Sequence, residues 1–212
     1  MNKEQEQLEA LKDIRKMMQE SSRFLSLSGL SGVFAGVYAL VGAWLGSRVI
    51  ANFNMGYPRG TEAFEHAYQK LQWQVILICI AVLFFSIGTA VVFTYRKAKK
   101  NNYKLFDKTS YRLLASLLAP LIAGGGFCIA LVMHKNGFVL MVAPTMLLFY
   151  GTALISSSKF TLHDIRFLGY FEIVLGLLAA FFPGHGILFW ALGFGLMHII
   201  YGSIMWYKYD RK

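Results

Sequence analysis

Charge is what this 212-residue chain has little of. Charged residues make up 15% of it against 56% hydrophobic ones, and the apolar residues come in blocks of about 20. That excludes an ordinary soluble domain and points to an all-α, polytopic membrane protein. Cysteine is scarce as well: Cys79 and Cys128 both fall inside apolar blocks, so neither a disulfide framework nor a metal site is expected. Signatures of catalysis are missing too. There is no HExxH, GxSxG, Gly-rich phosphate loop or CxxC. Ser156, Ser157 and Ser158 have no paired base at evident spacing, and His163 and Asp164 read as solvated loop residues. The expectation is a non-enzymatic protein without cofactor or metal.

What is there is six apolar runs, near residues 24–46, 74–95, 112–133, 138–156, 165–182 and 187–207. No connection between them is long enough for a further globular domain, so residues 23–212 read as one six-helix transmembrane domain. The net charge of +10 could suggest nucleic acid, but its placement argues otherwise. Of the 21 Lys and Arg residues only Arg48, Arg59, Lys70 and Lys135 fall on one side of the membrane. The rest lie on the other, so the positive-inside rule predicts two cytoplasmic termini, and no nucleic-acid partner is expected. Trp44, Trp73 and Trp190 at predicted outer ends, with Trp206 at an inner end, fit an interfacial belt. The first 23 residues lack the n-region and cleavage site of a secretory signal, and the first span reads as an uncleaved anchor.

Residues 3–21 carry Leu8, Leu11, Ile14, Met17 and Met18 at helical spacing among charged residues. Residues 1–22 therefore read as an amphipathic cytoplasmic helix, able to lie on lipid, pair with a copy of itself or receive a protein partner. In the loop after the first span, Thr61 to Lys70 reads as a short helix with Glu62, Glu65, His66 and Gln69, mainly a solvated surface. The inner loop opening with Arg96, Lys97, Lys99 and Lys100 is a basic cluster suited to anionic headgroups or a partner.

The spans also repeat. Segments starting at Gly29, Ala119 and Gly169 align without gaps so that Gly36, Gly126 and Gly176 coincide. Segments starting at Ala81, Pro144 and Gly195 bring Gly88, Gly151 and Gly202 into register. The unit is a helical hairpin, repeated in tandem over residues 24–95, 112–156 and 165–207. Lipid gives helices no hydrophobic reason to associate, so these glycines, with Gly169 and Gly195, are expected to let backbones pack closely.

Only the third hairpin is polar at depth. Glu172 lies in Gly169-x2-Glu172-x3-Gly176 and His198 in the same spacing, Gly195-x2-His198-x3-Gly202. Folding the two runs about His185 puts Glu172 level with His198. A carboxylate at such depth costs about 2.5 to 3.5 kcal/mol on insertion scales, so it should face protein and find a partner. The pair is either a hydrogen-bonded clamp or a proton-responsive element, and the two residues could share one proton. His66, His134 and His185 all fall on the predicted outer side, which is compatible with sensing pH there.

A span with a central Gly, a Phe-Pro-Gly turn and a second span ending in an aromatic-Gly-small step together resemble the HdeD-like family of bacterial inner-membrane proteins. The likeness is strongest over Gly169 to Gly202, while the long N-terminus, the large first outer loop, Glu172 and His198 depart from it. The resemblance implies a six-helix fold in a bacterial inner membrane and a stress-related role. Two functions follow as expectations. One is a regulatory membrane module acting through a partner held by the N-terminal helix and basic cluster. The other is a small proton-coupled transporter or channel using Glu172 and His198.

Overall fold

The computed structural model describes residues 5, 24, 27–54, 56, 60–101, 107–134 and 138–211, and of these 88% are helical with no strand. The expected amphipathic helix over residues 1–22 lies, apart from Gln5, outside the described residues. The helices are α1 (Gly29–Asn54), α2 (Glu62–Lys100), α3 (Lys108–Met133), α4 (Val142–Ser157, entered through a 3-10 turn at Phe138–Met141), α5 (Ile165–Phe181) and α6, which runs from Gly186 to Asp210.

Five of the helical runs are long and apolar enough to cross a membrane, α5 with its 17 residues being the shorter one. Their surfaces agree with that reading. Leu77, Phe84 and Val91 on α2 and Ile122, Phe127 and Ile129 on α3 are all more than half exposed. Water would not tolerate two such faces, whereas hydrocarbon solvates them. The protein is a helical membrane protein.

The helix α2 corrects one expectation. Thr61–Lys70 is not a separate surface helix but the first turns of a single 39-residue helix, started by Thr61, whose hydroxyl accepts from the Phe64 amide at 3.2 Å. No Gly or Pro interrupts the sequence between Glu62 and the apolar run, so the ladder continues into it. Glu62, Glu65 and His66 are exposed on it. At the other end of the helix, Arg96, Lys99 and Lys100 are exposed while Lys97 turns inward.

Packing among the helices depends on glycine. Along α1 and α6, a Cβ on Gly36 would lie 2.6 Å from the Gly195 carbonyl oxygen, and one on Gly202 would lie 2.5 Å from the Val33 amide nitrogen. Along α4 and α5, a Cβ on Gly151 would lie 2.6 Å from the Gly169 carbonyl, and one on Gly169 would lie 2.7 Å from the Gly151 carbonyl. Gly176 meets the Leu148 amide at 3.0 Å in the same way. Gly88 and Gly126 differ from expectation, since a Cβ on either would meet nothing within 4 Å. They face away from every described neighbour because α2 packs chiefly on α1, and α3 chiefly on α4.

The pairing of helices is also not simply that of the sequence hairpins. α5 packs more extensively on α4 than on α6, and α6 packs more extensively on α1 than on α5. Both of these seams therefore join helices of different repeats, the second to the third and the first to the third.

Two polar nodes tie the end of α6 down. Lys97 Nζ donates to Asp210 Oδ1 at 2.6 Å and to the Leu27 carbonyl at 2.8 Å, while Ser28 Oγ and the Gly29 amide donate to Asp210 Oδ2, each at 2.9 Å. Asp210 thereby caps the start of α1 and joins it to α2. In the second node Lys208 Nζ and the Tyr209 hydroxyl both donate to Asp164 Oδ2, at 2.6 and 2.9 Å. Leu154, Leu162, Ile165, Leu168 and Met205 form a buried apolar core, with Leu27 and Tyr209 from the two nodes packed against it.

The contrast between glycines is testable. Gly169→Ala should cost about 1 to 3 kcal/mol by overpacking a backbone contact. Gly88→Ala should be neutral or stabilise by up to about 1 kcal/mol, because only helix propensity changes there. Thermal unfolding of purified protein in detergent compares the two directly.

Acid tests the second node. Burial pushes the Asp164 carboxyl up, but the bonds from Lys208 and Tyr209 outweigh it and hold the group below the usual carboxylate value. With the folded value below the unfolded one, about 3.9, the node stabilises the fold above about pH 4 and loses that contribution as pH falls through the folded value. Unfolding curves over an acid series should show this limb in the native chain and lose it in Asp164→Asn.

Candidate functional site

The site is built at the crossing of α4, α5 and α6. Glu172 projects from the middle of α5 and is fully enclosed, 0% exposed, while His198 on α6 is 7% exposed. Their approach is direct: His198 Nδ1 lies 3.5 Å from Glu172 Oε1. The matched glycine spacings on the two runs, which brought the residues level in sequence, do bring them level in space.

Two residues complete the arrangement that the sequence reading did not single out. Tyr150, on α4, places its hydroxyl 2.8 Å from His198 Nε2. Gly193, on α6, offers its carbonyl oxygen 3.0 Å from His198 Nδ1. A signal for Tyr150 existed, since the Phe-Tyr-Gly-Thr step puts a hydroxyl one residue before the aligned Gly151. Gly193 lies outside the aligned glycines, and only the packing reveals its role: a Cβ there would overlap Glu172 Oε2 and the Leu147 side chain.

Local backbone explains why these atoms meet. α6 is α-helical over Gly186–Trp190, π-helical over Ala191–Met197, α-helical again over His198–Met205 and π-helical once more over Trp206–Asp210. π-helical stretches are rare and concentrate at functional sites. The wider turn presents the Gly193 carbonyl to a side chain five residues later, and that side chain is His198.

The hydrogen positions follow from the partners. A carbonyl oxygen only accepts, so the Nδ1 facing Gly193 carries a hydrogen. A neutral imidazole in that tautomer then accepts from the Tyr150 hydroxyl through Nε2. Rings hold the imidazole in place, with Phe194 and Tyr150 at centroid distances of 6.0 and 5.4 Å from it.

Glu172 is the group left over. Neither of its carboxyl oxygens has a hydrogen-bond partner among the described residues, although both are buried. Leaving a buried polar group unpaired costs about 1 to 3 kcal/mol, and more when it is charged. Two acceptors therefore lie within reach of the Nδ1 hydrogen, Gly193 O at 3.0 Å and Glu172 Oε1 at 3.5 Å. The arrangement is suited to holding, releasing or relaying a proton.

Elsewhere the candidates separate. Cys79 and Cys128 are free thiols, and no group of three or more His, Cys, Asp or Glu residues suited to a metal occurs among the described residues. The Ser157 and Ser158 hydroxyls donate to carbonyls of their own helix, those of Leu154 and Ile155, at 3.1 and 2.7 Å. Within the basic cluster Lys97 departs from the expected lipid-facing or partner-facing role, because its ammonium is spent on Asp210 and Leu27.

The chain matches no protein-family model, no curated protein and no solved structure. What the fold and site define is a class, a helical membrane protein with a buried carboxyl, imidazole and phenol cluster.

If Gly193 is glycine to make room for Glu172, the two positions should be energetically coupled. Gly193→Ala should destabilise the protein, and Glu172→Ala should relieve part of that loss, with Leu147 responsible for the remainder. A double-mutant cycle by thermal unfolding should give a coupling of about 1 kcal/mol or more, while additivity within about 0.5 kcal/mol would show that they do not compete for space.

Proposed function

We propose that this chain is a non-enzymatic, proton-responsive module of a bacterial inner membrane, with six spans in three tandem hairpins and both termini cytoplasmic. The observation that carries the reading is the enclosed Glu172 carboxyl, which has no hydrogen-bond partner among the described residues and lies beside an imidazole. Ionisable groups at membrane depth are costly and mark proton or ion function. On this reading the protonation state of Glu172 sets how α5 and α6 meet. The response passes to a protein partner, or to a second copy of the chain, through residues 1–22 and the exposed Arg96, Lys99 and Lys100, which also contact anionic lipid.

Supporting the six-span arrangement are the three repeat units and the close packing of α5 between α4 and α6. The orientation rests on the distribution of Lys and Arg, and the bacterial inner membrane and stress-related role rest on the HdeD-like resemblance over Gly169 to Gly202.

A second reading, proton-coupled transport through the same residues, is favoured by the interruption of α6 at the depth of Glu172. Irregular helix at a midplane site is a habit of transporters. Both readings require Glu172 to exchange a proton.

Difference infrared spectroscopy on protein in lipid vesicles tests that requirement. A carboxylic-acid carbonyl band should be present at low pH, disappear as pH is raised, and be missing at every pH in Glu172→Gln. Absence of any Glu172-dependent band would overturn the proposal. Pyranine-loaded vesicles then separate the two readings: Glu172-dependent proton flux identifies transport, and a titrating Glu172 without flux identifies the module.

A further inference from the structure

We propose that the face of α2 around Gly88 and the face of α3 around Gly126 join two copies of this chain, α2 of each copy seating on α3 of the other. The inference goes beyond the proton reading and does not depend on the charge of Glu172.

The two glycine seams within the chain are one interface formed twice. Each sets the trailing helix of one repeat, α4 or α6, against the leading helix of another, α5 or α1. In the alignment that starts the leading helices at Gly29, Ala119 and Gly169 and the trailing helices at Ala81, Pro144 and Gly195, the contacts fall at the same places. A Cβ on Gly151 would meet the Gly169 carbonyl and the Ile173 amide, and one on the aligned Gly202 would meet the Gly29 carbonyl and the Val33 amide. Gly176 approaches Leu148, and the aligned Gly36 approaches Ile199, which is aligned with Leu148. Gly169 lies against Ile155 as Gly29 lies against Trp206. Contacts that recur residue by residue belong to the repeat and not to one pair of helices.

Three repeats offer a third seam of this kind, and the chain leaves it unmade. It would set α2 against α3, which share no packed interface among the described residues although only residues 101–107 connect them. The common register assigns its contacts: Gly88 against Ala119 and Ala123, Phe85 against Gly126, and Val92 against Ala119. All six of these residues are exposed. Gly88 opens a notch of about 240 Å³ in α2, walled by Phe84, Phe85, Thr89, Val92 and Phe93. Opposite it, α3 would present Ala119, Ala123 and Gly126, spaced along one face and small enough for close approach. A glycine facing only lipid weakens its helix without return, whereas the aligned Gly36, Gly151, Gly176 and Gly202 all stand at a backbone contact.

A second copy is the occupant that carries the complementary face. The matching faces of α1 and α5 are already taken by α6 and α4, so the face left for α2 is that of α3, and the reverse. Direction agrees as well. In both formed seams the contact positions rise along one helix as they fall along the other, and α2 and α3, as consecutive spans, also run in opposite directions. Two copies inserted the same way and related by a twofold axis along the membrane normal satisfy both faces of each, whereas head-to-tail pairing leaves one face unmet at each end. Ala119 stands where the formed seams have Gly29 and Gly169, so the third seam is looser, as suits a join between subunits.

Disulfide trapping reads this register. The full chain, with Cys79 and Cys128 replaced by Ala, carries Val92→Cys and Ala119→Cys and is oxidised in lipid vesicles. A covalent dimer should form, and it should form equally between copies carrying only Val92→Cys and copies carrying only Ala119→Cys. Moving the second cysteine to Met133, at the other end of α3, should abolish it. Gly88→Leu, at a position where a Cβ meets nothing in its own chain, should weaken association by about tenfold or more, read by counting subunits in vesicles by single-molecule photobleaching. Its helical content should match the native chain, and should Gly88→Leu fail to fold, Gly126→Leu makes the same test from the other face. A disulfide closed within one chain would overturn the proposal, because the chain would then complete its own third seam. Monomers in vesicles, with lipid filling the notch, would overturn it too, as would a dimer that survives Gly88→Leu and is not trapped at Val92 and Ala119.

Discussion

Backbone contact through glycine is the constraint on which the rest of this structure depends. Helices in lipid gain nothing hydrophobic by associating, so adhesion comes from short-range packing and from hydrogen bonds. Here α1 meets α6 at Gly29, Gly32, Gly36 and Gly202, and α4 meets α5 at Gly151, Gly169 and Gly176, with main-chain atoms where side chains would otherwise stand. These two seams carry α5 and α6 to the same place from opposite sides. Glu172 and His198 meet because each helix is located by a neighbour outside its own hairpin.

That arrangement divides α6 into two parts with different freedom. The end beyond the π segment is fixed by the glycine seam and by two ion-paired nodes, and the Lys97 to Asp210 bond is the better sheltered of these, its side chains 13% and 10% exposed. The Lys208 ammonium in the other is 54% exposed and so contributes less, because solvent screens it. Before the π segment the approach is to side chains, the tightest at Gly186, where a Cβ would lie 3.1 Å from that of Ala143.

Much of this was legible in the sequence, for physical reasons that also mark where legibility stops. Blocks of apolar residues have to match the bilayer, so the expected span at 74–95 lies within α2 and that at 138–156 within the run ending at Ser157. Matched spacing put Glu172 and His198 level along the two runs, and their side chains do approach to 3.5 Å. Partner choice is another matter. Alignment assigned Gly88 and Gly126 the same packing role as Gly36 and Gly151, but a repeat transmits position in a unit and not which neighbour lies beside it. Lys97 looked like one more member of a basic run, and only the return of Asp210 from the far end of the chain distinguishes it.

The π segment was invisible for a deeper reason. Its seven residues, Ala-Leu-Gly-Phe-Gly-Leu-Met, are ordinary for a membrane helix, and nothing in their composition selects a five-residue ladder over a four-residue one. The difference is made by demands from outside the segment: Gly195 must sit against α1, Gly193 must leave room for Glu172, and His198 must reach both Tyr150 and a carbonyl. An α-helix turns 100° per residue and fixes the angle between any two of these positions. The wider turn over Ala191–Met197 resets that angle among Gly193, Gly195 and His198, so that one stretch of helix serves both the glycine seam and the polar cluster.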